Sequence, residues 1–441
     1  LVTGVSWSAP TVTSAINAAV RVPSSKSMTN RALVLSALSE GQSVIRHPLR
    51  SRDTALMVSA LRALGVEIDD SDDLRWRVTS RRLTRKSAAI DVGNAGTVLR
   101  FVPPIAALAK AAISFDGDEA VRRRPMAPLL SALRALGVQI DDDGRGAAPF
   151  VVRGAGEVAG GRVAVDASAS SQLISALLLA GPAYGAGIEI RHVGALPVPN
   201  APHLAMTVSM LGARGAEVDV GDDLWRVAPG KLAAIEQTIE PDLSSAAPFL
   251  AAAVVTGGRV AIPDWPGHST QPGALLPDLL GAFGAISRLD DRGLVVVGPE
   301  RITGATLDLR KAGELTPVLA AIAALADSPS RLTGVDYLRG HETDRLAALT
   351  KELTALGTDV EELDDGLVII PRPMHGGTFA TYDDHRLAMA AAVIGLVVPD
   401  VILDDVATTA KTFPGFDQAW TEAVSGTAAS AHSVDEDRAG S

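Results

Sequence analysis

Six times along the chain, a short polar opening leads into a run of Ala, Leu, Val and Ile with almost no polar face. The openings are PSSKSMTNRALVLSAL from Pro23, GNAGTVLRFVPPIAAL from Gly93, ASASSQLISALLLA from Ala167, PDLSSAAPFLAAAVV from Pro241, KAGELTPVLAAIAAL from Lys311 and YDDHRLAMAAAVIGL from Tyr382. Runs of this kind, recurring about every 70 to 75 residues, predict apolar helices within a repeated unit, packed on sheets. After most of them comes a second helical stretch that ends in Leu-Gly and is followed by two β-branched segments around an acidic turn. The copies are SALRALGVEIDDSDDLRWRV from Ser59, SALRALGVQIDDDGRGAAPFVV from Ser131, SMLGARGAEVDVGDDLWRV from Ser209 and TALGTDVEELDDGLVII from Thr354, with AFGAIS from Ala282 as a looser fifth. Leu-Gly is a helix C-terminal signal, and an acidic turn between two such segments is a hairpin signal. Each unit therefore reads strand, helix, strand, helix, strand, strand.

Six such units predict an α/β chain built from α+β repeats and divided into two similar domains of three units, with the division near Ile239-Glu240-Pro241. The strand-like segment TVTSAINAAV, ahead of the first unit, fits either half. After Gly426 the sequence TAASAHSVDEDRAGS loses all periodicity, so a disordered tail is expected there.

Composition narrows the function classes. Of 441 residues, 47% are hydrophobic but only 4% aromatic, so the cores must be assembled from Ala, Leu and Val. The net charge of −11, with no long basic tract, argues against nucleic acid or an anionic membrane surface as partner. The absence of cysteine removes disulfides, thiolate metal sites and Cys nucleophiles, and fits a reducing compartment. No basic segment leads into an apolar core at the N-terminus, so no secretory signal is expected. The apolar run Leu387 to Leu403 is interrupted by Gly395, Pro399 and Asp400, too early to span a bilayer. A cytoplasmic protein is expected.

Candidate chemistry collects in the six openings. They hold Lys26, Ser27 and Arg31; Asn94, Gly96 and Arg100; Ser170, Ser171 and Gln172; Asp242 and Ser244; Glu314; and Asp384, His385 and Arg386. Helix N-termini carry uncapped N–H groups and the positive end of the dipole, which suits anions. Equivalent units would gather these N-termini on one face of each domain. Two such faces opposed across a cleft and lined by Lys and Arg would bind a small, multiply anionic substrate. Glu314, an isolated acid among positive ends, is a candidate general base. Each feature also has a plainer reading: a Ser-rich basic first turn as a solvated helix start, Arg122-Arg123-Arg124-Pro125 as a solvated turn, and His341-Glu342-Thr343-Asp344-Arg345 as a salt-bridged helix start. Lys411-Thr412-Phe413-Pro414 reads as a loop, and the basic stretch 81–86 as a solvated face.

Taken in order, SKSMTNRAL, GNAGT, RRRPM, SSQ, HETDRL, DDHRLAMA and AKTFP, spread from Val20 to Phe416, identify a resemblance to the 5-enolpyruvylshikimate-3-phosphate (EPSP) synthase family. For the fold, the resemblance implies two domains of three βαβαββ units, an inside-out α/β barrel arrangement joined by two crossovers. It assigns residues 1–22 with 241–427 to one domain and 23–240 to the other, leaving 428–441 as the tail. For activity, it implies transfer of the enolpyruvyl group of phosphoenolpyruvate to the 5-hydroxyl of 3-phosphoshikimate. Phosphate is released through a tetrahedral intermediate, by a monomer, with no metal or organic cofactor and no nucleic-acid or membrane partner.

For the site, the resemblance implies that 3-phosphoshikimate is held by Lys26, Ser27, Arg31, Ser170, Ser171, Gln172, Asn200, Glu314, Tyr337 and His341. It implies that phosphoenolpyruvate is held by Lys26, Asn94, Gly96, Arg124, Gln172, Arg345, Arg386 and Lys411. Glu314 would take the hydroxyl proton, and Glu342 or Lys26 would protonate the methylene carbon. The chain departs from the family's usual pattern at several points: Glu314 stands where Asp is frequent, His341 where Lys is common, and Phe101 where Pro is common. Asn200 and Tyr337 differ as well. Gly96 and Thr97 together imply sensitivity to glyphosate, a phosphoenolpyruvate mimic. Two rival readings are weighed. The enolpyruvyl transferase acting on UDP-N-acetylglucosamine usually employs a Cys that is absent here. A non-catalytic anion-binding protein would have no need for Glu314 and Glu342 among the cations.

Overall fold

The computed structural model describes residues 4–80 and 83–426; the expected tail at 428–441, and Arg81 and Arg82 of the basic stretch, lie outside the described residues. The fold is α/β, and the chain forms two compact units: Ser24–Glu240, and Leu1–Pro23 together with Pro241–Ser441.

The unit from Ser24 contains α1 (Lys26–Leu38), α2 (Arg52–Ala63), α3 (Gly96–Ala106), α4 (Ala127–Ala135), α5 (Gln172–Ala180) and α6 (Ala201–Gly212). Helices α1, α3 and α5 are the runs without a polar face. They are buried almost throughout and pack on one another, as an all-apolar helix must in water. Helices α2 and α4 carry Arg and other polar residues on one side and leave that side exposed.

Beside a short parallel pair, Ser39–Glu40 with Leu232–Ala233, the unit has three four-stranded sheets. Their strand orders are Glu236–Thr238, Gln42–Arg46, Arg75–Thr79, Glu67–Asp72; then Ala88–Asp91, Ala112–Asp116, Phe150–Arg153, Gln139–Asp141; then Gly161–Val165, Ile188–His192, Leu224–Val227, Val218–Gly221. In each, the first pair is parallel and the others antiparallel. Strands such as Gln42–Arg46 alternate between buried and accessible residues, so one sheet face closes the core and the other meets solvent. Three Leu-Gly pairs end helices as expected, with Gly65, Gly137 and Gly357 in the left-handed conformation that glycine tolerates without strain; in the copy from Ser209, α6 runs through Leu211-Gly212 and it is Gly215 that turns the chain, with φ 82°.

The other unit contains α7 (Ala247–Thr256), α8 (Leu276–Gly281), α9 (Thr316–Ala324), α10 (Arg345–Ala355), α11 (His385–Gly395) and α12 (Phe416–Ser425). Helices α7, α9 and α11 are the buried, mutually packed set. Two sheets repeat the order and sense already described: Asn17–Ala19, Arg259–Pro263, Gly293–Val297, Ile286–Asp290; and Thr306–Asp308, Ser330–Thr333, Gly366–Ile370, Asp359–Leu363. The segment TVTSAINAAV thus supplies a strand parallel to Arg259–Ala261. The third sheet has three strands: Gly377–Phe379 parallel to Val401–Leu403, with Trp7–Ser8 antiparallel on the far side. Here the N-terminal segment takes the position that a hairpin fills elsewhere.

Two local expectations are corrected. His341 does not begin a helix: α10 starts at Arg345, because Asp344 acts as its N-cap and accepts the Ala347 N–H at 3.1 Å. Lys411 is not in a loop but ends the 3-10 helix Val406–Lys411. No helix of the described residues is long and apolar enough to cross a membrane.

Candidate active site

In the unit from Ser24, the first turns of the three buried helices meet. Ser25 caps α1 by accepting the Met28 N–H, which puts Lys26 and Ser27 on the first turn. Asn30 of α1 donates to Thr97 of α3 at 2.7 Å, and Arg100 of α3 donates to the Gln172 side chain, the first residue of α5, at 2.8 Å. Lys26 Nζ lies 3.1 Å from the Asp53 carboxylate, and both side chains are largely shielded from solvent. Arg31 is 1% exposed; its guanidinium donates to Thr207 at 2.8 Å and to the Ser27 carbonyl at 3.0 Å.

Of the three consecutive arginines, Arg122 and Arg123 form exposed ion pairs with Asp116 and Glu119, whereas Arg124 is turned inward and buried. The solvated-turn reading therefore holds for two of them only. Arg124 comes so close to Gly96 that a Cβ there would stand 2.7 Å from Nη1 of the arginine and 3.5 Å from Gln172 Oε1. Asn94 precedes α3 in the turn that presents Gly96, and Ser170 and Ser171, both buried, precede Gln172. Asn200, also buried, starts α6 with φ 50°, a conformation Asn tolerates better than most residues. The structure thus brings together Lys26, Ser27, Arg31, Gly96, Arg124 and Gln172, with Asn94, Ser170 and Ser171 on the same helix openings.

In the other unit, the first turns of α7, α9 and α11 also meet. Glu314 lies in the 3-10 turn Gly313–Leu315 that leads into α9. Its carboxylate accepts a hydrogen bond from Ser244 ahead of α7 and lies 3.7 Å from the Arg386 guanidinium on α11. Arg345 is buried at the start of α10, and Asp384 receives its Nε at 2.7 Å and its Nη2 at 3.1 Å. Glu342 accepts from Arg345 at 3.1 Å on one oxygen and from Lys411 at 2.7 Å on the other. Burial alone would weaken the charge on Arg345, but Asp384 and Glu342 outweigh it and hold the guanidinium pKa above its ordinary value.

Tyr337 is buried against the same group, and its ring centroid lies 5.6 Å from that of His341. Burial pushes the phenol pKa up, the Glu314 charge adds to that, and the Gly313 N–H on the hydroxyl opposes it. The salt-bridged reading of His341 to Arg345 is correct for Glu342 and Arg345, but the bridge is buried and shared with α11 and Lys411 rather than solvated.

Reading the sequence alone missed three supporting residues. Asp53 holds Lys26 from the first turn of α2, which packs beside α1. Its only local mark is a place inside the capping box that Ser51 and Thr54 make at the start of α2. His192 accepts the Ala167 N–H on Nδ1 at 3.2 Å, so its Nε2 donates to the Leu196 carbonyl at 2.8 Å. It thereby ties the loop of Ser170 and Ser171 to the loop that ends at Asn200. Glu352, buried on α10, is the third. Chemically, each unit presents buried or half-buried cations and helix N-termini fit for phosphate and carboxylate groups, and the second adds a carboxylate, Glu314, fit to take a proton.

Comparison with known proteins agrees over nearly the whole length. The family model described as EPSP synthase (3-phosphoshikimate 1-carboxyvinyltransferase) matches residues 10–420. A 3-phosphoshikimate 1-carboxyvinyltransferase from Kocuria rhizophila is 51% identical over 420 residues, spanning 93% of this chain and 94% of that one. Among solved structures, EPSP synthase from Acinetobacter baumannii, 24% identical, aligns with a TM-score of 0.79 over 95% of this chain and 98% of its own. The enolpyruvyl transferase NikO from Streptomyces tendae, 18% identical, aligns with a TM-score of 0.70 over 93% and 95% of the two chains. These two structural likenesses show a shared fold.

Proposed function

Because the chain belongs to the EPSP synthase (3-phosphoshikimate 1-carboxyvinyltransferase) family of transferases, we propose a division of labour among its own side chains. The reaction moves the enolpyruvyl group of phosphoenolpyruvate to the 5-hydroxyl of 3-phosphoshikimate and releases phosphate. The hydroxyl oxygen adds to the carbon that bears the enol phosphate of phosphoenolpyruvate, while its methylene carbon takes a proton. The tetrahedral intermediate then loses phosphate and that carbon gives a proton back.

Glu314 takes the hydroxyl proton. Its support is the Ser244 hydroxyl, which fixes the carboxylate, and the nearby Arg386 guanidinium, which steadies its negative charge. Lys26, Ser27, Arg31, Ser170, Ser171, Gln172 and Asn200 hold 3-phosphoshikimate, with Tyr337 and His341 beside Glu314 serving its ring hydroxyls. Lys26, Asn94, Gly96, Arg124, Gln172, Arg345, Arg386 and Lys411 hold phosphoenolpyruvate; the planar guanidinium fork suits both its carboxylate and its phosphate. Glu342 or Lys26 delivers the proton to carbon. The fold is that of two domains of three βαβαββ units with helices inside and sheets outside, and what supports this is the burial of α1, α3, α5, α7, α9 and α11. Crowding of Arg124 against Gly96 supports inhibition by glyphosate at the phosphoenolpyruvate position.

The observation that carries the reading is the buried chain Asp384–Arg345–Glu342–Lys411 beside Glu314 and Arg386. Holding that many charges largely out of water is costly even when they are paired, and a role in binding or reaction accounts for their presence. The test is phosphate release from phosphoenolpyruvate. Release that depends on 3-phosphoshikimate and is inhibited by glyphosate in competition with phosphoenolpyruvate is expected. Binding of both ligands without release would sink the catalytic assignment.

A further inference from the structure

Three residues of the TYDDHR stretch, Asp384, His385 and Arg386, belong to the opening of α11, but Tyr382 and Asp383 just ahead of them have no part in the chemistry proposed above. Both take a left-handed backbone conformation, with φ 55° each. Two consecutive residues with side chains in that region are strained, and such a turn persists only where its surroundings hold it.

The holding group is Glu352. It sits on α10 and is 4% exposed. One carboxylate oxygen accepts the Ala380 N–H at 3.1 Å and the other accepts the Tyr382 hydroxyl at 2.6 Å. From the other side, Asp404 accepts the Thr381 N–H at 2.8 Å and its hydroxyl at 2.7 Å. Lys351 reaches the Tyr382 oxygen at 3.1 Å from the solvent side. Burial and the bond to Glu352 raise the Tyr382 pKa, so the phenol keeps the proton it donates.

Position on α10 gives this its meaning. Glu352 follows Arg345 by seven residues, close to two helical turns, so both project from one face. Arg345 grips the end of the strained turn through Asp384, and Glu352 grips its beginning through Ala380 and Tyr382. The same turn delivers Arg386, whose N–H is bonded to Asp384 at 2.8 Å. A buried carboxylate is a poor device for stability alone, since a well-packed apolar side chain does as well or better. As a ruler between two elements it makes sense.

We propose that Glu352 is a positioning residue that sets the separation of Arg345 and Arg386, and through it the affinity for phosphoenolpyruvate. The inference rests on the reading that these two arginines hold that substrate. The experiment compares Glu352→Ala, Glu352→Gln, Tyr382→Phe and, as a reference, Arg386→Lys, measuring kcat, KM for each substrate and the thermal midpoint. Glu352→Ala is expected to raise KM for phosphoenolpyruvate about tenfold, as loss of one or two charged hydrogen bonds would. Glu352→Gln restores it to within about threefold, because the amide oxygen still accepts from Ala380. Tyr382→Phe raises it about threefold. KM for 3-phosphoshikimate stays within about twofold in all three.

A fall in kcat or thermal midpoint with both KM values unchanged would overturn the proposal and make Glu352 merely structural; so would an equal rise in both. If Glu352→Ala does not fold, Tyr382→Phe decides alone. If Arg386→Lys raises KM for phosphoenolpyruvate and the other variants do not, the inference fails and the reading of the arginines stands. If Arg386→Lys also leaves it unchanged, that reading fails and the inference with it.

Discussion

The guanidinium carbon of Arg31 lies 5.1 Å from the centre of the Phe101 ring, and both side chains are sealed from solvent. The ring of Phe101 has a definite task here. It covers the face of a cation whose edge is already committed to Thr207 and the Ser27 carbonyl. A desolvated cation over an aromatic face is a favourable contact worth about 1 to 2 kcal/mol.

Phe101→Leu should keep most of the packing and lose the aromatic face. We expect a stability loss of about 1 to 2 kcal/mol in urea denaturation and a several-fold rise in KM for 3-phosphoshikimate. Phe101→Ala should cost about 3 to 5 kcal/mol through the cavity it leaves. If Phe101→Leu leaves KM for 3-phosphoshikimate unchanged, the ring is packing only.

Glu314→Gln removes the proton acceptor but keeps an oxygen for the Ser244 hydroxyl. Turnover should drop by about 100- to 10,000-fold, while calorimetric binding of 3-phosphoshikimate changes little. Loss of binding with residual turnover intact would reverse the assignment of Glu314 from chemistry to recognition.

Gly96→Ala forces the Arg124 guanidinium away, since the new methyl would stand 2.7 Å from its Nη1. The end of a long side chain can yield, so the protein should fold with an almost unchanged thermal midpoint. Inhibition by glyphosate should weaken more than KM for phosphoenolpyruvate rises. Equal inhibition of variant and parent would contradict the placement of the inhibitor beside Gly96.

Arg214 offers a test in the opposite direction. It is 1% exposed, and its guanidinium donates to Gln237, Ser36 and the Met210 carbonyl, all neutral groups. Burial lowers its pKa to about 10. A base whose folded pKa is depressed subtracts from stability at every pH below that value, and the deficit is relieved as pH rises from about 10 toward the unfolded value. At neutral pH the deficit is on the order of 3 kcal/mol. Arg214→Met should therefore be neutral or stabilising in urea denaturation at pH 7. A loss beyond about 2 kcal/mol would show that its hydrogen bonds outweigh the buried charge.

Much of the architecture was legible because its signals are local. A run such as AIAALA has no polar face and must be buried, and Leu64-Gly65 ends a helix through the conformation of one residue. Charged and polar residues at helix openings are legible for the same reason, as Lys26, Gln172, Glu314 and Arg386 illustrate. The supporting groups were not. Asp53 is one of 51 acidic residues in the chain, and only the fold brings it to Lys26. Glu352 sits in a helix where Glu is ordinary, and its partners Ala380 and Tyr382 come from another element. Residues 341–343 carry no local mark that keeps them out of the helix; Asp344, as N-cap, sets the start of α10 after them.

The parallel pairing of Asn17–Ala19 with Arg259–Ala261 has a consequence for how this protein is made. The strand Asn17–Ala19 is synthesised before the Ser24–Glu240 unit, yet its partner follows only after that entire unit has been made. At typical elongation rates the wait is roughly ten seconds to a minute. During that time the leading segment is an unpaired strand with free backbone donors and acceptors. The short alternating sequence SAINAAV, with its polar Ser14 and Asn17, is poorly suited to stray association, and that is the property an early, waiting strand requires.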